Sequence, residues 1–139
     1  MNELPATSPA RGACLCGAVS FVLRWPSKWV AHCHCTMCQR AHGAAFVTWV
    51  SVPSELFELR DSQSLLREYQ SSPEAWRSFC GRCGSSLIFR SQRWPGEVHV
   101  ARSNISDPVD RAPMAHAFFD THVDWFDVSD ALPKRTAPK

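Results

Sequence analysis

Seven cysteines in a chain of 139 residues fall into three tight clusters, and their spacing constrains the fold more than any other feature. Cys14 and Cys16 stand in "CLCG", Cys33, Cys35 and Cys38 in "CHCTMC", and Cys80 and Cys83 in "CGRCG". An odd number of thiols cannot pair completely, and a C-x-C pair is strained as a disulfide. The opening "MNELPATSPARGA" has no basic segment followed by an apolar run, so no secretory signal is read and a reducing, cytoplasmic setting is expected. Clustered thiols in that setting point to metal binding.

The spacing also divides the thiols. A C-x-x-C turn lets two sulfurs converge on one ion while backbone N–H groups donate to them. Gly81 and Gly84 are expected to supply the left-handed dihedrals of such a turn. Two further ligands are needed, and the C-x-C pair is the natural complement. Cys14, Cys16, Cys80 and Cys83 would then form a closed four-thiolate site, a redox C-x-x-C being the competing reading. Zinc bound in that way contributes about 10–16 kcal/mol to folding in small zinc-finger peptides.

Cys33, Cys35 and Cys38 remain, one ligand short of a tetrahedron. Either the fourth position is open, the arrangement of catalytic zinc, or His32, His34, His42 or His116 closes it. Alternation in an extended "AHCHC" turns His32 and His34 away from the face of Cys33 and Cys35, which places them at the surface or behind the ligands. An open position would accept an outside thiolate, which suits soft zinc.

The rest of the chain reads as short strands separated by turns. Strands are expected at 17–25, 44–52, 65–70, 75–80, 85–91, 97–105 and 114–120, and a helical turn followed by a strand at 54–61. Residues 35–43 read as a metal-binding turn running into one or two helical turns that Gly43 stops. In "EVHVA" the alternation puts Val98 and Val100 on one face, His99 and Ala101 on the other. Phe46, Trp49 and Val50 are expected in the core, Trp25 and Trp94 against turns, and His99 and His122 as satisfied strand or surface histidines. Residues 1–10 read as a disordered arm, 11–133 as one mainly β, zinc-binding domain, and 134–139 as a frayed tail.

Composition removes some functions. No apolar run approaches the roughly 20 residues that span a bilayer, so no membrane partner is expected. The net charge is +2, and the basic residues are scattered except for the terminal "PKRTAPK". Two zinc ions on seven thiolates would bring that charge to about −1. Nucleic acid is therefore not an expected partner.

G-x-C-x-C-G at 12–17, H-C-x-C-x-x-C at 32–38 and F-C-x-x-C-G at 79–84 resemble the glutathione-dependent formaldehyde-activating enzyme family, which also includes centromere protein V. "MAHAFFDTHVDWFDVSDALP", 114–133, is similar to that family's H-x-F…W-F-x-x-x-D-x-L-P segment. The resemblance implies a β-tent fold of antiparallel sheets stapled by zinc. It implies two Zn2+ ions, a structural one on Cys14, Cys16, Cys80 and Cys83 and a catalytic or exchangeable one on Cys33, Cys35 and Cys38. It implies carbon–sulfur lyase chemistry on a thiol–aldehyde adduct, with glutathione and formaldehyde as the family's pair. The family's basic pair after the triplet is here Gln39-Arg40, and the long basic extension of centromere protein V is missing.

The expectation is thus a zinc-dependent carbon–sulfur lyase. Arg40 would orient a substrate carboxylate, and His116 would sit near the reactive metal as a proton carrier. The competing class is a non-catalytic binding or sensing module stabilised by zinc. A homodimer is compatible with the sequence.

Overall fold

The computed structural model describes residues 8–137. Among these residues ten strands and one α-helix follow in order: β1 (Ala10–Ala13), β2 (Ser20–Leu23), β3 (Trp29–Cys33), α1 (Thr36–His42), β4 (Val47–Pro53), β5 (Phe57–Arg60), β6 (Leu66–Ser72), β7 (Ala75–Cys80), β8 (Ser86–Ser91), β9 (Glu97–Ala101) and β10 (His116–Ala117). A small sheet has the order β1-β2-β5, and a large one β10-β3-β4-β9-β8-β7-β6. The mainly β expectation holds. The sheets are not purely antiparallel, however, because β10 runs parallel to β3.

Two strands went unread. β1, "ARGA", has too little apolar content to alternate visibly, and β3, "WVAHC", hides its period among histidine and cysteine. Gly12 in β1 is demanded by contact: a Cβ there would lie 2.3 Å from the Phe21 ring and 2.6 Å from the Asn104 carbonyl. The strand expected at 114–120 shrinks to two residues, because Phe118 turns left-handed (φ 55°) and a 3-10 turn follows at Phe119–Thr121.

Alternation sorts the large sheet into two faces. Val30, Val50, Val52, Val98 and Val100 pack with Val19, Phe21 and Leu23 in the main core. Burial of each such side chain contributes on the order of 1.5–3 kcal/mol. The intervening residues, Trp29, Ala31, Trp49, His99 and Ala101, lie on the opposite face. Register across β3, β4 and β9 aligns Trp29 with Ser51 and His99, then Ala31 with Trp49 and Ala101, then Cys33 with Val47.

Helix α1 covers one end of that face. At seven residues it is too short to persist alone. The Cys35 sulfur accepts from the Cys38 N–H at its start, and Gly43 ends it at φ 59°. At the chain ends, β1 begins at the buried Ala10, inside the stretch read as an arm; residues 1–7 of that stretch lie outside the described residues. The stretch read as a frayed tail is hydrogen-bonded as far as Ala137. Arg135 N–H donates to His116 O and Phe119 N–H to Arg135 O, while Ala137 N–H reaches Asp120 Oδ1. This segment covers the outer edge of β10, which would otherwise present unpaired backbone groups. Among the described residues no helix is long and apolar enough to cross a membrane.

Candidate functional site

The β1–β2 turn carries Cys14 and Cys16, and the β7–β8 turn carries Cys80 and Cys83. Their four sulfurs lie within 4.8 Å of one another. Cys14 Sγ is 3.6 Å from Cys16 Sγ, which is 3.9 Å from Cys80 Sγ. Zn–S bonds of about 2.3 Å give a tetrahedral edge of about 3.8 Å, so the donor set fits zinc in type and spacing. Val19 N–H donates to Cys14 Sγ and Arg82 N–H to Cys80 Sγ, as sulfur ligands require. The Ser85 hydroxyl joins the turns: it accepts from Leu15 N–H and lies 3.3 Å from Cys83 Sγ. That hydrogen bond is the main cause holding the Cys83 thiol down to about 5.

One glycine of the second turn acts as expected and the other does not. Gly84 is left-handed (φ 82°), but Gly81 is not. A Cβ on Gly81 would meet the Leu65 carbonyl at 2.8 Å, so glycine is needed there for close approach to the β5–β6 connection.

Cys33 closes β3, Cys35 caps α1 and Cys38 lies one turn into it. Their sulfurs also converge within 4.8 Å, with Cys38 Sγ 3.5 Å from Cys33 Sγ. Hydrogen bonds from Cys33 and then Cys38 favour the Cys35 thiolate, and the same sharing pushes Cys33 up. Among the described residues no histidine or carboxylate joins this group of three. All seven cysteines are free thiols.

The histidines offered as a fourth ligand go elsewhere. His32 and His34 do point away from the sulfurs, but His34 is not at the surface: it is 1% exposed. Its Nε2 lies 2.8 Å from Nδ1 of His116, whose Nε2 lies 2.9 Å from Asp130. His116 is therefore not beside the thiols. Ala115 and Ala117 face the cavity described below, and the ring between them turns to the other side of the strand. His42 stacks edge-on against Trp49 at 5.2 Å. Gln39, in the place of a family cation, donates to the carbonyls of His34 and Thr121 and so fastens α1 to the segment after β10.

The triplet opens on a cavity of about 590 Å3 over the second face of the large sheet. Its walls include Trp29, Trp49, Phe89 and Trp94, and it is also lined by Arg77, Arg93 and Arg135. Arg40 is exposed and does not line it. Sequence reasoning missed the three cavity arginines. Arg77 is the nearest to the sulfurs, with Nη1 3.7 Å from Cys38 Sγ and its guanidinium 4.8 Å above the Phe89 ring. Alternation in "AWRSFC" places Arg77 opposite Cys80 on β7, but nothing in that pattern shows that its face meets the triplet.

The model of the family described as glutathione-dependent formaldehyde-activating enzyme matches residues 9–121. The chain belongs to that family. Both cysteine clusters and most of the cavity fall inside the matched segment. The chain is also similar in structure to a Rhodobacter sphaeroides protein, with a TM-score of 0.60 and 22% identity over 70% of this chain and 89% of that one. At that identity the likeness supports the fold alone.

Proposed function

We propose that this member of the family is a zinc-dependent carbon–sulfur lyase of the cytoplasm that makes and breaks thiol–aldehyde adducts, as an S-(hydroxymethyl)glutathione synthase does. The observation that carries the reading is the contrast between the clusters. Four thiols form a closed set, whereas three converge with no fourth protein ligand among the described residues and face a cavity large enough for a small peptide.

In the forward direction the thiol sulfur bonds to the aldehyde carbon and the thiol proton ends on the carbonyl oxygen. Zinc held by Cys33, Cys35 and Cys38 would supply a thiophilic Lewis acid that keeps sulfur deprotonated near neutral pH. Arg77 offsets the negative charge that three thiolates gather. Trp29, Trp49 and Phe89 wall the reactants from bulk water, which would otherwise hydrate the aldehyde. Arg93 and Arg135 are placed to take carboxylates, the role first given to Arg40. Bringing the two reactants together in one cavity removes much of the entropic barrier to their addition.

The test is exchange NMR on glutathione and formaldehyde at equilibrium with their adduct. The zinc-loaded protein should speed interconversion well above the buffer rate, and Cys38→Ser should return it to that rate. A protein carrying two ions per chain that leaves the exchange rate unchanged rules the lyase out.

A further inference from the structure

His99 sits at the other end of the same cavity. Register places it in the row of Trp29 and Ser51, four residues along β3 from Cys33. That is about 13 Å along the strands, so His99 cannot serve the atoms that react at the triplet. It is 3% exposed, yet it lines the cavity.

Its hydrogen bonding is fixed on one side. His99 Nε2 lies 2.9 Å from Glu97 Oε1, which also accepts from the Ser51 hydroxyl at 2.8 Å, while Glu97 Oε2 lies 2.9 Å from Lys28 Nζ. Burial alone would raise the Glu97 carboxyl. Its bonds to His99, Lys28 and Ser51 outweigh that and keep it ionised. The proton of the neutral imidazole therefore sits on Nε2, and Nδ1 is a lone-pair acceptor. No protein group among the described residues bonds that nitrogen. The only buried side-chain nitrogen or oxygen without a partner among them is Nδ1 of His34, so Nδ1 of His99 opens on the cavity. Aromatic rings surround the imidazole, with ring centroids 4.7 Å away for Trp29, which is edge-on, 5.4 Å for Trp94 and 5.7 Å for Phe89.

We infer that this end of the cavity is a recognition subsite for a flat unsaturated ring bearing an O–H or N–H donor on its edge, held between the aromatic walls with the donor on His99 Nδ1. The walls supply stacking area and exclude water, and the single acceptor orients the ring. A buried acceptor left without a donor penalises any ring that lacks one. Resting on the proposed lyase reading, the subsite makes the substrate an adduct whose thiol or aldehyde part carries such a ring and reaches across the cavity.

Phenol is the probe, with toluene as its match in shape without the donor. Tryptophan fluorescence and calorimetry on the zinc-loaded protein should show phenol binding at least tenfold more tightly than toluene. His99→Phe, which keeps an aromatic ring in place, should abolish the preference. Should that variant fail to fold, 15N spectra of the wild-type imidazole serve instead, and phenol should shift Nδ1 of His99 and leave Nδ1 of His34 unmoved. Equal affinity for the two probes, or an unmoved His99 signal, overturns the subsite. The titration repeated in Cys38→Ser should give the same phenol affinity, since the triplet lies at the opposite end. A protein that binds phenol in this way but does not speed adduct exchange keeps the subsite and loses the lyase; the converse result loses the subsite alone.

Discussion

Arg77 Nη1 and Cys38 Sγ lie 3.7 Å apart, in a chain where no other guanidinium among the described residues is bonded to a thiol. Three thiolates on a divalent ion would leave a charge near −1, and this cation would compensate it where the cavity meets the triplet. Arg77→Met keeps an apolar stem over Phe89 and removes the charge. A hydrogen bond to a charged group contributes about 1.5–3 kcal/mol, so zinc affinity at the triplet should fall at least about tenfold while the four-thiolate site is untouched. Competition with a chromophoric chelator reads both affinities, and an unchanged weaker site would separate Arg77 from metal binding.

The two clusters should respond differently to the same chemistry. Cys80 is fully buried and ties the β7–β8 turn to the β1–β2 turn across more than sixty positions. Cys80→Ser should lose one zinc and with it soluble, cooperative folding, because metal binding of this kind contributes about 10–16 kcal/mol. Cys38→Ser should also lose one zinc but retain a native circular dichroism spectrum. Native mass spectrometry and thermal melts decide the matter. Equal damage from the two substitutions would mean that both sites are structural.

Much of this arrangement was legible in the sequence because metal-ligand spacing is a local property. C-x-C, C-x-C-x-x-C and C-x-x-C each fix where a turn must be, and the four-plus-three division follows from counting donors. The strands with clear alternation, such as "EVHVA", were equally readable. What failed was long-range. His116 faces Asp130 and His34 because β10 adds in parallel to β3, and no local pattern announces a two-residue parallel pairing. Arg40 rested on the family's basic pair after the triplet, but an α-helix turns successive residues to different sides. Arg77, thirty-nine positions away, reaches Cys38 because β7 lies across the cavity from α1.

The hydrogen-bonded chain from His34 to Asp130 should matter for stability rather than for proton transfer at the triplet. Asp130 accepts from His116 Nε2–H, and His116 Nδ1 accepts from His34 Nε2–H. His116→Ala orphans the His34 donor in a site that is 1% exposed, at a cost of at least about 1–3 kcal/mol. The urea midpoint should fall with its slope unchanged. Asp130→Asn should do less harm, because that side chain is 45% exposed. Adduct exchange per folded molecule should stay within a few-fold of wild type in both. A collapse of exchange in fully folded His116→Ala would restore the proton-carrier role.

Acid should destabilise the fold through its histidines. Burial is the first cause that lowers both His34 and His42 to about 4, reinforced in His34 by His116 and in His42 by the nearby Arg77. Burial also lowers His32 and His99. A depressed imidazole stays neutral in the folded chain, whereas the unfolded chain binds its proton from about pH 6.5 downward. The unfolded state therefore holds more protons between about pH 6.5 and 4, and stability must fall with pH across that window. Acid would also release zinc held by the thiolates, so the wild-type slope alone would mix two processes. The difference between wild type and His42→Gln isolates one histidine. Gln cannot titrate, and the variant's unfolding free energy should fall less steeply, by up to about 1.4 kcal/mol per pH unit before solvent screening at this half-buried site reduces it. Parallel slopes would show that His42 takes up its proton as readily in the folded chain as in the unfolded one, and would place its ring in water rather than against Trp49.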